Sequence, residues 1–135
     1  MARSAASDPA FIRTARYHGS LDGVESWVRR HFVYRDEKEE VVRDPRFMIG
    51  DVGRFDGVRY VGLEGDCDDV STLFAAFSKA LNHRARFVAI RYNPSNPNFE
   101  HVFTQAYDGR KWRDLDATVQ PGTALEWIEN MIEEI

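Results

Sequence analysis

The chain has 135 residues, with 18 Lys and Arg against 22 Asp and Glu, four His, a single Cys and 43% hydrophobic residues. That suffices for one soluble domain burying roughly two-thirds of its unfolded surface, and is too little for two. A formal charge of −4 lacks the basic footprint of nucleic-acid or anionic-membrane binders, so neither is expected as a partner.

Residues 1–16 hold scattered Arg and small residues, with no apolar stretch of the length a secretory signal requires. A flexible lead-in is expected there, followed by a single domain over 17–135. Val24, Trp27, Val28, His31 and Phe32 recur at helical spacing, which predicts a helix over Asp22–Val33 with Asp22 and Glu25 as its start signal. The charges from Arg35 to Glu40 predict solvated surface.

Periodicity fails between Val41 and Gly65, where Pro45 and five glycines interrupt short apolar pieces and Phe55-Asp56-Gly57-Val58 suggests a small hairpin. Val70, Leu73, Phe74, Phe77 and Leu81 then form the clearest stripe in the chain and predict a buried helix. Asp66, Asp68, Asp69 and Ser71 suit its start, and Asn82 suits a left-handed end.

Arg86–Tyr92 reads as a strand, and 93–98 as a turn-rich loop. His101–Tyr107, Asp108-Gly109 and Arg110–Asp116 read as a hairpin, because Asp-Gly supplies the left-handed angles of a type I′ turn. Leu125, Ile128, Met131, Ile132 and Ile135, preceded by Thr123 and Glu126 at capping-box spacing, predict a carboxy-terminal helix.

Cys67 is the residue with the most chemistry to offer. As the only cysteine it forms no internal disulfide, and a free thiol points to a reducing, cytoplasmic setting. Its place in the first helical turn favours a thiolate, while Asp66, Asp68 and Asp69 oppose one. An imidazolium partner is therefore needed. If Asp108 and Gly109 are the two loop residues, Tyr107 opposes Arg110 and, stepping outward, His101 opposes Asp116, with Cβ atoms about 5 Å apart. An acid orienting an imidazole that faces a thiol is the nucleophile, base and orienter arrangement of a triad.

The blander readings are a small buried cysteine, an ordinary strand histidine and a turn-forming aspartate, and they fit each residue taken singly. It is the combination that favours catalysis. His18, His31 and His83 are not expected to take part directly. A zinc site from Cys67, His101, Asp116 and a nearby aspartate lacks any short-spaced ligand pair, so no metal or cofactor is expected.

Gly65-Asp66-Cys67-Asp68-Asp69, Ala85-Arg86-Phe87-Val88, His101-Val102-Phe103, Asp108-Gly109-Arg110-Lys111-Trp112 and Leu115-Asp116-Ala117-Thr118 together resemble the bacterial transglutaminase-like superfamily. The resemblance implies a papain-like α+β fold, with the Cys helix packed on an antiparallel sheet that carries His and Asp. It also implies the triad Cys67, His101 and Asp116. The chain departs from the family at Leu81-Asn82-His83-Arg84-Ala85, where Leu-Gly-Ile-Pro-Ala is common, at Asp116-Ala117-Thr118, where Asp-Pro-Thr is common, and at Phe103, where Trp is frequent.

A thiol acyl-transfer enzyme acting on a peptide or protein is thus expected, with a cysteine protease or amidase favoured by analogy with small bacterial and phage members. A protein-crosslinking transglutaminase, or a non-catalytic binding domain that keeps the fold, are the alternatives. No alternating acidic calcium loop is visible. The first oxyanion donor is expected to be the Cys67 backbone N–H, with Tyr34 or Tyr60 as candidates for the second. Trp112 reads as core or cleft wall.

Overall fold

The computed structural model of the protein describes residues 1–35, 42–54, 57, 62–120, 122–123 and 125–135. Helices α1 (Ala2–Ala6), α2 (Pro9–His18) and α3 (Leu21–His31) come first, then β1 (Phe32–Tyr34), α4 (Pro45–Asp51), β2 (Leu63–Gly65) and α5 (Cys67–Ala80). Strands β3 (Ala85–Arg91), β4 (His101–Tyr107), β5 (Trp112–Leu115) and β6 (Glu129–Glu134) follow. The last four form an antiparallel sheet in the order β5-β4-β3-β6, and β1 pairs in parallel with β2. This is an α+β architecture in which the Cys67 helix packs on the antiparallel sheet.

Helix α5 is the centre of the core. Val70, Leu73, Phe74 and Phe77 are buried along it, and the other sides of the same cluster come from Val24 and Val28 of α3, Leu63 of β2, Ala106 of β4 and Leu115 of β5. Each fully buried side chain of this size contributes roughly 2–3 kcal/mol of transfer free energy. The helix ends as its sequence suggests: Asn82 adopts φ 63°, His83 N donates to Ser78 O at 2.9 Å and Asn82 N to Lys79 O at 3.0 Å. Those are the two bonds of a Schellman motif, formed here around asparagine in place of glycine.

Three sequence expectations are corrected. Residues 1–16, expected as a flexible lead-in, lie in α1 and α2 and contribute Ala5, Phe11 and Ala15 to the core, with Phe11 stacked on Phe77 at 4.8 Å. Their apolar face is built mainly from alanines, which hydropathy patterning registers weakly. Asp8 caps α2 by accepting from Ala10 N and Phe11 N, with Pro9 preset for the first turn. The cap of α3 is Ser20, which accepts from Gly23 N at 3.2 Å, and not Asp22.

The expected carboxy-terminal helix is instead the strand β6, paired with β3 from Arg86↔Glu134 to Arg91↔Glu129. A helix would have left that edge of β3 without ladder partners, so pairing overrides local periodicity. Leu125, the first residue of the supposed stripe, packs on Val88, Ile90 and Phe103. Within the irregular stretch 41–65 the structure adds α4, capped by Asp44 and started by Pro45, and β2. The hairpin expected at 55–58 and the charged run beyond Arg35 lie largely outside the described residues.

Candidate active site

Strand β2 delivers the chain directly into the Cys67 helix. Leu63 is fully buried and pairs with Phe32, Gly65 pairs with Tyr34, and Arg35 N donates to Gly65 O at 2.8 Å. Glycine is required at 65 by close approach: a Cβ there would lie 2.6 Å from Asp69 Cβ and 2.5 Å from its Oδ2. Asp66 accepts from Asp68 N at 3.0 Å and Asp69 N at 3.3 Å, while Asp69 Oδ2 accepts from Asp66 N at 3.0 Å. This capping box leaves the first helical amide, that of Cys67, outside its bonds. Two of the three acids expected to oppose a thiolate are therefore committed to backbone amides.

Asp69 also accepts from Arg43 N at 2.6 Å. Burial pushes its carboxyl pKa up, backbone bonds from Arg43 and Asp66 work against that rise, and the neighbouring Asp66 charge adds to it. Asp69 is thus a structural acid of the helix start.

The hairpin brings His101 and Asp116 together, although not in the expected register. Pairing runs Tyr107↔Trp112, Ala106↔Arg113, Gln105↔Asp114 and Thr104↔Leu115, and Asp108 N donates to Lys111 O at 3.1 Å. The turn is therefore centred on Gly109 and Arg110, with Gly109 at φ 98°. Asp108 closes it by accepting from Arg110 N and Lys111 N, both at 2.9 Å. In this register Asp116 falls one diagonal step from His101 and not opposite it. Each residue's partner moves by two positions, which preserves the face of the sheet, and a diagonal is within reach of these side chains.

His101 Nε2 lies 2.5 Å from Asp116 Oδ2. The other carboxylate oxygen, Oδ1, accepts from Thr118 N at 2.9 Å and Thr118 Oγ1 at 2.7 Å. Sequence reasoning did not assign Thr118 a role, yet an Asp followed two residues later by Thr is the spacing of an Asx turn. Three residues along β4 from His101, the buried Thr104 donates to Ser71 O of α5 at 2.6 Å. That bond ties the histidine strand to the second turn of the cysteine helix.

Burial works against a charged imidazole at His101, but hydrogen bonds to Asp116 and Cys67, reinforced by their charges, outweigh it and push its pKa up to about 9. Burial likewise opposes ionisation of Asp116, and the bonds from His101 and Thr118 with the His101 charge overcome it, leaving the carboxyl below its ordinary range. A proton on Nε2 is thereby directed to Asp116, so the opposite ring nitrogen is the one left to meet sulfur.

These shifts fix a pH dependence of folding. The His101 contribution is fully present below the unfolded pKa near 6.5 and is lost as pH rises through about 9. The Asp116 contribution is present above about 3.9 and is lost as pH falls through its depressed folded value. Urea midpoints should therefore fall between pH 6 and 9.5 by the equivalent of up to about 3 kcal/mol in the wild type, and by clearly less in His101→Gln. Equal losses in both proteins would contradict the ion pair.

Cys67 and His101 open into a common cleft of about 810 Å³. Phe32, Tyr34 and Tyr92 form aromatic walls, Ile90 and Leu125 an apolar side, and Glu100 and Glu126 bring carboxylates. Tyr34 is thus placed in the cleft as a candidate oxyanion donor, while Tyr60 lies outside the described residues. Trp112 is not part of this cleft; its ring lies under the guanidinium groups of Arg86, at 4.0 Å, and Arg84, at 5.1 Å.

The remaining histidines are used elsewhere. His18 packs against Trp27 at 4.8 Å, His31 against Trp27 at 5.2 Å, and His83 Nδ1 lies 2.9 Å from Tyr107 O. Among the described residues, no group of three or more His, Cys, Asp or Glu side chains is arranged to hold a metal ion, and no helix is long and apolar enough to cross a membrane.

A family model described as the transglutaminase-like superfamily matches residues 13–117. No curated protein matches the chain. A crystal structure from Cytophaga hutchinsonii, described as that of a putative cysteine protease, is similar in fold with a TM-score of 0.54 and 22% sequence identity. The alignment covers 76% of this chain and 31% of that one, so the chain spans about a third of the neighbour's length. With a family model running from α2 to the residue after Asp116, over a helix and sheet that bring Cys67 and His101 to one cleft, the chain belongs to the transglutaminase-like superfamily.

Proposed function

We propose that the protein is a thiol-dependent acyl-transfer enzyme that hydrolyses a peptide or carboxamide bond in a peptide or protein substrate, with Cys67, His101 and Asp116 as its catalytic triad. The observation that carries this reading is the 2.5 Å contact between His101 Nε2 and Asp116 Oδ2, with His101 lining the cleft that also holds Cys67. Family membership supports thiol-enzyme chemistry in general, and the choice of hydrolysis rests on analogy with small bacterial and phage members.

In the first half-reaction the Cys67 sulfur attacks the carbonyl carbon while His101 holds the thiol proton. The Cys67 N–H stabilises the oxyanion, with Tyr34 as the candidate second donor. Collapse of the tetrahedral intermediate breaks the C–N bond, and the amine leaves with the proton from His101. Water then attacks the thioester, gives a proton to His101, and releases the acid as sulfur departs. Asp116 holds the imidazole orientation and stabilises its charged form throughout. A lysine amine in place of water would turn the same acyl-enzyme into a crosslinking transglutaminase.

Intact-mass spectrometry tests the proposal with peptide carboxamides, in the presence and absence of a primary amine. The expected result is an acyl adduct on Cys67 that decays to free acid, and that is absent in Cys67→Ser. Product consisting mainly of amine conjugate would assign crosslinking. The absence of both adduct and product would leave a non-catalytic binding domain.

A further inference from the structure

Asp116 lies beyond the end of β5 at Leu115, and residues 117–119 form bends outside any strand, so no strand ladder holds the acid in place. The turn over residues 116–119 is held from inside by the Asp116 carboxylate on Thr118. It is held from outside by a side chain remote in sequence. Arg29 Nη2 donates to Asp116 O at 2.7 Å, and Arg29 Nη1 donates to Val119 O at 2.8 Å.

The planar guanidinium presents both donors in fixed geometry, so one side chain sets the positions of two carbonyls at opposite ends of the turn. Its base is equally well placed. Arg29 stands on α3, whose Val24 and Val28 are buried in the cluster around α5, so the fork refers the acid to the helix that carries Cys67. Among the described residues, Nε of Arg29 is buried with no hydrogen-bond partner. Such a group costs stability, and the orientation that leaves it unpaired is the one that places both Nη groups on the two carbonyls. The side chains that bond the Asp116 carboxylate are His101 and Thr118, whereas both bonds from Arg29 go to backbone carbonyls. Its influence therefore runs through the backbone.

We propose that Arg29 is a positioning residue of the active site, fixing the 116–119 turn so that Asp116 Oδ2 meets His101 Nε2. This rests on the reading of Cys67, His101 and Asp116 as the catalytic set. Removing the guanidinium lets the turn relax, and the carboxylate loses its alignment with the imidazole. Displacements of about 1 Å in such a constellation cost on the order of 100-fold in rate.

The test compares wild type, Arg29→Ala, Arg29→Gln, Arg29→Lys and Asp116→Ala by the NMR titration of the His101 ring, by the rate of Cys67 alkylation at pH 6.5 and by urea unfolding. Arg29→Ala and Arg29→Gln should lower the His101 titration midpoint and slow alkylation by about 3- to 10-fold, less than the loss of the imidazole itself. Arg29→Lys, with one ammonium for two carbonyls, should fall between them and wild type. A space of about 330 Å³ beside Arg29, Asp116 and Val119 is large enough for a guanidinium ion. Millimolar guanidinium should therefore restore part of the loss in Arg29→Ala and none in Asp116→Ala.

An unchanged His101 titration in the folded Arg29 variants, with only the urea midpoint reduced, would overturn the proposal. Should Arg29→Ala fail to fold, Arg29→Gln decides by the same readout. If wild-type alkylation proves independent of His101, the acyl-transfer reading fails, and the His101 titration still decides the role of Arg29.

Discussion

Replacing His101 by alanine will slow alkylation of Cys67 by iodoacetamide at pH 6 by about 20- to 50-fold. At that pH an unassisted thiol is only about 0.3% ionised, so a partner that takes the proton can raise the thiolate population by more than two orders of magnitude. Part of that gain is returned, because a thiolate stabilised by a neighbouring cation is a weaker nucleophile. The imidazole is equipped for the task, since Asp116 and Cys67 hold its pKa near 9 against the effect of burial. Turnover should fall much further, by about 10⁴-fold or more, because the same ring must also protonate the leaving amine. The measurement is a pH–rate profile of labelling followed by intact mass, with Cys67→Ser as the unlabelled control. Superimposable profiles for wild type and His101→Ala would remove the imidazole as the partner of sulfur.

The parts of the fold that were legible in the sequence are those where burial and period coincide. Helix α5 shows its stripe because Val70, Leu73, Phe74 and Phe77 all face one core, and β4 begins and ends at the expected His101 and Tyr107. The carboxy-terminal segment misled because the spacing of Leu125, Ile128, Met131, Ile132 and Ile135 satisfies a helix locally. The decisive term is the edge of β3, which only a tertiary view reveals. Its residues confirm that local pattern was a poor guide, since Met131 is 58% exposed and Ile132 46% exposed in the strand they form.

The site itself was legible for a partly fortunate reason. His101 and Asp116 were paired by placing the turn at Asp108 and Gly109, whereas the chain turns at Gly109 and Arg110. The conclusion survived because an even shift of register keeps both side chains on one face. The supports were not legible at all. Arg29 binds carbonyls about ninety residues away, and Thr104 reaches Ser71 O across the helix–sheet interface. Bonds from a side chain to a distant backbone leave no period and no motif.

Asp116→Asn is expected to lower turnover by about 10³- to 10⁴-fold while leaving the fold intact, and the reason lies in the other end of the carboxylate. Oδ1 receives two donors from Thr118, the backbone N–H at 2.9 Å and the hydroxyl at 2.7 Å. In the variant those donors select the amide oxygen, which turns the amide NH₂ towards His101 Nε2. Facing a donor, Nε2 must carry no proton, so the neutral ring carries its proton on Nδ1, the nitrogen that has to accept one from sulfur. The base is then blocked by tautomer as well as deprived of the charge that stabilises its protonated form. Nitrogen-15 shifts of the His101 ring distinguish the two tautomers directly, and kcat measured beside them completes the comparison. A ring that keeps its proton on Nε2 in the variant, with kcat within tenfold of wild type, would show that the acid neither orients the imidazole nor stabilises its charge.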